Sequence, residues 1–185
     1  VPNTSTSGIN GNIGSAVGIV SGFEDSVVIG SIIPAANTTQ ASLDVDNAYN
    51  SLMALPNTVL IHTPAFGSVA AGGETINAGV YFINGAGSLL GTLVLDGQNN
   101  PNAIFVFKFA GAFSVAAQAK MILMNGARRC NVFFIGGAGV ATGAISIGAG
   151  AVLKGTFLSH DGACGSGADL FLAGRQLSTG GAVNT

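Results

Sequence analysis

Ser159, His160 and Asp161 follow one another directly, and a hydroxyl, an imidazole and a carboxylate are the groups of a nucleophilic hydrolase. Successive residues on a strand point to opposite faces, whereas a triad needs side chains that converge. The spacing therefore argues against catalysis there. His62, the only other histidine, is far away in sequence and fits a surface or loop residue. A metal centre needs His, Cys or carboxylates at ligand spacing, which Asp161 and Asp169 alone do not supply. Gly136-Gly137-Ala138-Gly139 lacks the Lys-Ser/Thr of a phosphate-binding loop and reads as a chain corner. Arg128-Arg129 is a short basic spot on a solvated corner, and Glu24-Asp25 is a solvated turn. No catalytic residue, cofactor site or metal site is expected, and the chain does not read as an enzyme. Cys130 and Cys164 allow either one disulfide or two buried free thiols. A low-charge surface rich in Gly, Ser, Thr and Asn fits export, which favours the disulfide.

The elements that position these residues belong to one domain spanning 1–185. Charged residues make up 8% of the chain, against about 25% in an ordinary soluble protein. Such an apolar chain, with a net charge of only −2, is not disordered. Its 29 glycines follow no three-residue period, which excludes collagen. Six Lys and Arg cannot neutralise many phosphates, so nucleic acid is not an expected partner. No uninterrupted apolar run approaches the ~20 residues of a membrane-spanning helix. Val1 in place of Met fits a processed or recombinant chain.

One segment reads as helix, about residues 39–55. Ala41, Val45, Ala48, Leu52 and Leu55 form an apolar stripe, Thr38 or Thr39 can cap its start, and Pro56 stops it. The first twenty residues suit short strands with tight turns, and Val27–Ile33 suits a further strand ended by Pro34. After Pro56 the chain breaks into short β-prone runs: Val59–Ile61, Thr75–Ile76, Val80–Ile83, Leu89–Leu95, Ile104–Phe109, Phe113–Val115, Lys120–Met124 and Asn131–Ile135. The stretch from Asp96 to Asn102 is a turn-forming loop. Near the C-terminus, Gly143-Ala144 through Leu158-Ser159 aligns with Gly162-Ala163 through Leu177-Ser178 at an offset of 19 residues. A period near 20 in glycine-punctuated β sequence predicts a solenoid of three-strand coils, with glycines at the corners.

Several motifs then carry a resemblance over most of the chain, from about Asn10 to Val183. They are Gly79-Val80-Tyr81-Phe82, Leu90 through Gly97, Asn100 through Lys108, Met121 through Ala127 with Cys130-Asn131-Val132-Phe133-Phe134, Leu153 through Leu158, and Leu172 through Thr179. In this order they resemble the ice-binding-like domain family of microbial secreted proteins. The resemblance implies a mainly β fold: an irregular right-handed β-helix, triangular in section, with one long α-helix alongside. It also implies C-terminal coils that return beside N-terminal ones. Members usually begin with an apolar strand before the segment that appears here as Pro2-Asn3-Thr4-Ser5; a start without that strand fits either a shortened chain or a groove filled by another chain.

Two functions suit this reading. One is a secreted, extracellular or cell-surface protein that binds ice through a flat, weakly polar solenoid face. Thr142, Ser146, Thr156, Ser166 and Thr179 are its candidate residues. The family's usual Thr-Ala/Gly-x-Thr/Asn series is represented only by fragments such as Ala141-Thr142-Gly143 and Ser178-Thr179-Gly180. The other is a structural or adhesive subunit whose missing strand is supplied by an identical neighbour, building a fibre.

Overall fold

A computed structural model describes residues 8–16, 20–24, 26–59, 62–68, 73–139 and 142–184. Four short strands open the chain. β1 (Gly8–Asn10) pairs in parallel with β3 (Val27–Ile29), and β2 (Ile13–Gly14) pairs with β4 (Ile32–Ile33). The expected single strand at Val27–Ile33 is thus two, separated by Gly30, where a Cβ would collide with the backbone of Gly11. The helix α1 (Thr39–Ala54) follows.

From there the chain winds into coils. β5 (Ala65–Phe66), β6 (Glu74–Asn77) and β7 (Gly79–Ile83) form the first, and β8 (Gly87–Leu89), β9 (Thr92–Asp96) and β10 (Phe105–Phe109) the second. β11 (Phe113–Val115), β12 (Lys120–Met124) and β13 (Val132–Gly136) form the third. β14 (Ile145–Ile147) leads into β15 (Val152–Ser159), β16 (Cys164–Ser166) leads into β17 (Phe171–Ser178), and β18 (Val183–Asn184) begins another turn. The expected run Leu89–Leu95 is divided at Leu90-Gly91, where the chain turns a corner.

Three walls result, all of parallel strands. A short-strand wall is built from β5, β8, β11, β14, β16 and β18. An open wall contains β6, β9, β12 and the first halves of β15 and β17. A helix wall contains β7, β10, β13 and the second halves of β15 and β17. Within Ala65–Asn184 the coils stack in chain order. The return of C-terminal coils beside the N-terminal strands, implied by the resemblance, has no hydrogen-bonded pairing among the described residues.

The 19-residue repeat is the register itself. All eight residues of β15 pair with those of β17 at that offset, as does Ile145 with Cys164. Earlier coils carry longer corners, such as the loop between β9 and β10, so the same stacking leaves no fixed period in the sequence. β15 passes from one wall to the next without breaking because Gly155 bends it at φ +121°.

Inward side chains fill the solenoid with an aromatic ladder. Tyr81, Phe107, Phe134 and Phe157 occupy one register row and stack at centroid distances of 5.0, 4.4 and 5.1 Å. Each such pair adds about 1 kcal/mol beyond its buried area. His62 caps the first coil, stacked on Phe66 at 4.1 Å, with Nε2 2.9 Å from Glu74 Oε1. Of the two expected settings, surface or loop, it has the loop, with its ring packed and not on the surface.

The helix lies on the outward face of the helix wall. Tyr49, with Val45, Leu52, Met53 and Leu55, packs against Val80, Val106, Ile135 and Leu158. Ala41 and Ala48, expected in the stripe, are exposed. Tyr49 takes the buried position because its hydroxyl donates to the Gly137 carbonyl (3.0 Å) and its ring stacks on His160 (4.1 Å). Thr38 occupies the cap position, but its hydroxyl donates to the carbonyls of Ser15 and Ala35 instead of accepting from the first turn. At the other end, Lys108 Nζ donates to the carbonyls of Met53 (3.1 Å) and Leu55 (2.6 Å). A cation there complements the negative end of the helix dipole.

Candidate functional site

The Ser159-His160-Asp161 sequence does not assemble into a site. Ser159 is fully buried, its hydroxyl against the carbonyl oxygens of Gly143 and Gly162. His160 points outward to Tyr49, with Nδ1 3.0 Å from Thr179 Oγ1. Among the described residues no three His, Cys, Asp or Glu gather as metal ligands. The cysteines do not bond. Cys130 is exposed in the one-turn helix Arg129–Asn131, while Cys164 is buried in the short-strand wall and its thiol is pushed up to about 12 by burial. The expected disulfide is thus corrected to two free thiols on separate elements.

The short-strand wall presents the most regular outward rows. Its strands are two or three residues long, so each coil presents one central outward residue. The register aligns Ser88, Ser114, Ser146 and Gly165 in a single row across four strands. On one side of that row, the residues preceding the strands are Ala86, Ala112, Ala144, Ala163 and Ala182, all exposed. The last four accept from the first residue of the strand one coil earlier, which extends the regular ladder into the corner. On the other side lie Leu90, Ala116, Gly148 and Gly167. Rows along the stack repeat at roughly 4.8 Å, and alternate residues along a strand at roughly 6.7 Å. These three rows contain no charged side chain; serine hydroxyls and the amide of Asn184, which follows Gly165 in the central row, are their polar groups, and Leu90 is their one large apolar side chain.

The candidate residues divide against this map. Ser146 stands in the central row, exposed. Thr142 is exposed at the corner before β14. Ser166 shares the inward row of Ile147, and its hydroxyl donates to the Asn184 carbonyl at 3.4 Å. Thr179 lies at a corner, its hydroxyl held by His160 and the Asp161 amide. Thr156 is buried on the helix wall, between Phe133 and Arg175 in register, and is not available to an external flat partner. Ser88, Ser114 and the alanine row went unrecognised. Their signal is the triplet Ala-x-Ser, at Ala86-Gly87-Ser88, Ala112-Phe113-Ser114 and Ala144-Ile145-Ser146. Unequal corner lengths hide its period.

Fold and wall together define a β-solenoid with one flanking helix and one uncharged wall whose outward residues are mostly small. The family model described as Ice-binding-like matches residues 1–185. The chain belongs to that family. It is 36% identical over 138 residues to an ice-binding protein of Nostoc sp. (strain HG1), covering 72% of this chain and 48% of the relative. It therefore spans about half the length of that relative. The crystal structure of an ice-binding protein from an Antarctic Flavobacteriaceae bacterium superposes with a TM-score of 0.87 at 36% identity, covering 98% of this chain and 40% of that one. The ice-binding protein of the Antarctic ascomycete Antarctomyces psychrotrophicus gives 0.86 at 27% identity, covering 98% and 85%.

Proposed function

We propose that the chain is a secreted, non-enzymatic ice-binding protein whose short-strand wall is the ice-facing surface. Ice offers no pocket and no net charge, so a complementary surface must be flat, rigid and weakly polar over many small contacts. The observation that carries the reading is the row Ser88–Ser114–Ser146–Gly165 flanked by exposed alanines, on strands held in strict register. Helix and lysines lie elsewhere. The helix covers a different wall, and Lys120 and Lys154 stand outward on the open one. In Ser114→Tyr a ring rises from the middle of the wall and separates it from the lattice. Thermal hysteresis is expected to fall by more than half, with the far-ultraviolet circular dichroism unchanged, while Thr75→Tyr on the open wall keeps the activity. Full activity in S114Y, or unshaped ice with the wild-type protein, rejects the assignment.

A further inference from the structure

The open wall carries a second surface that ice binding does not use. Its outward residues run Thr92–Lys120–Val152–Phe171 in one row and Val94–Ile122 in the next, with Lys154 two residues beyond Val152 on β15. Phe171, Ile122 and Met124 are 61%, 45% and 41% exposed. The corner beyond Met124 presents Arg128 and Arg129, both exposed. Four of the six Lys and Arg of the chain thus lie on one wall and its corner, interleaved with large apolar side chains. Among the described residues, both ion pairs are made by histidines, so none of these four cations has a carboxylate partner. Of the two carboxylates on this wall, Glu74 is held by His62 and the Gly67 amide, and Asp96 accepts from the Gln98 amide and Asn125 Nδ2. Asp169 stands at the opposite corner.

We propose that this wall docks on a bilayer containing anionic phospholipid. Charge complementarity selects the occupant: four unpaired cations face outward together, and each near an anionic bilayer strengthens binding about fivefold. The apolar residues select a bilayer over a soluble polyanion. Phe171, Ile122 and Met124 enter between headgroups, while the stems of Lys120 and Lys154 lie along the apolar layer with their ammonium groups at the phosphates. A two-fold contact with a second copy would set the lysines of one wall against those of the other, which is unfavourable.

Co-sedimentation of the full chain with vesicles of phosphatidylglycerol and phosphatidylcholine, against phosphatidylcholine alone, tests this. Binding to the anionic vesicles is expected, weakening with salt. It should fall at least tenfold in K120E/K154E and also fall in I122S/M124S. Circular dichroism checks that both variants are folded. Their thermal hysteresis is read in parallel, so failure of the ice assignment and failure of this one are separate results. Equal binding to the two vesicle types, or wild-type binding by K120E/K154E, overturns the proposal. So does equally tight binding of soluble polyphosphate that is unchanged in I122S/M124S, because that outcome assigns the wall to a polyanion.

Discussion

Lys108 is 2% exposed on the outward face of the helix wall, and its partners are the carbonyls of Met53 and Leu55. Burial lowers its pKa from the ordinary lysine value, yet the end of α1 needs the donors it brings. Lys108→Met keeps the bulk and removes those donors, leaving two helix-end carbonyls unpaired beneath the chain. A loss of about 2 kcal/mol in a urea titration is expected, with thermal hysteresis retained at low temperature because the short-strand wall is untouched. A stability equal to that of the wild type would mean that water replaces the ammonium. The sequence pattern flags Lys108 only as an interruption in the apolar run Ile104–Phe109. Its role depends on a helix end more than fifty residues earlier in the chain, which no local pattern records.

At the scale of the element, the strands and the helix were legible from periodicity and punctuation. Runs such as Lys120–Met124 and Phe113–Val115 coincide with β12 and β11, and the helix spans Thr39–Ala54. The buried helix face was legible in part: Val45, Leu52 and Leu55 of the predicted stripe pack on the wall, Ala41 and Ala48 are exposed, and Tyr49 at the centre was not foreseen. Tyr49 is buried through a hydroxyl that finds Gly137 and a ring that finds His160, both contacts with distant coils. Of the five candidates, Ser146 is the one that lies in the central row of the short-strand wall proposed to face ice. A 19-residue offset says which residues stack without saying which wall they face, so the other four fall on corners, an inward row and the helix wall. β15 makes the same point through its bend. Gly155 holds φ +121°, and a Cβ there would lie 2.8 Å from the Val132 carbonyl oxygen. Gly155→Ala is expected to cost about 3 kcal/mol from backbone strain and overpacking. The fall appears as a lower urea midpoint with an unchanged slope. A loss below ~0.5 kcal/mol would show that β15 turns its corner without help from glycine.

For the whole molecule, a solenoid in which each coil touches only its neighbours tends to lose coils from an end. The two tyrosines report on whether this one does. Tyr81 sits in the ladder of the first coil and Tyr49 on the helix, and burial raises both phenols above the usual value. The unfolded chain therefore releases these protons first. Their contribution to stability is intact below about pH 10 and is lost as pH rises through the raised folded values. With no tryptophan present, phenolate absorbance follows the two residues directly. One joint, cooperative ionisation that coincides with loss of circular dichroism is expected, and two separate steps would show independent fraying. The reason for a joint step lies in α1, which rests on Val80, Val106, Ile135 and Leu158, one from each of four successive coils. It acts as a batten nailed across four planks. Under the proposed assignment, a crystal growing unevenly against the short-strand wall meets shared bending stiffness, and the serine row deflects as one plate instead of hinging between coils.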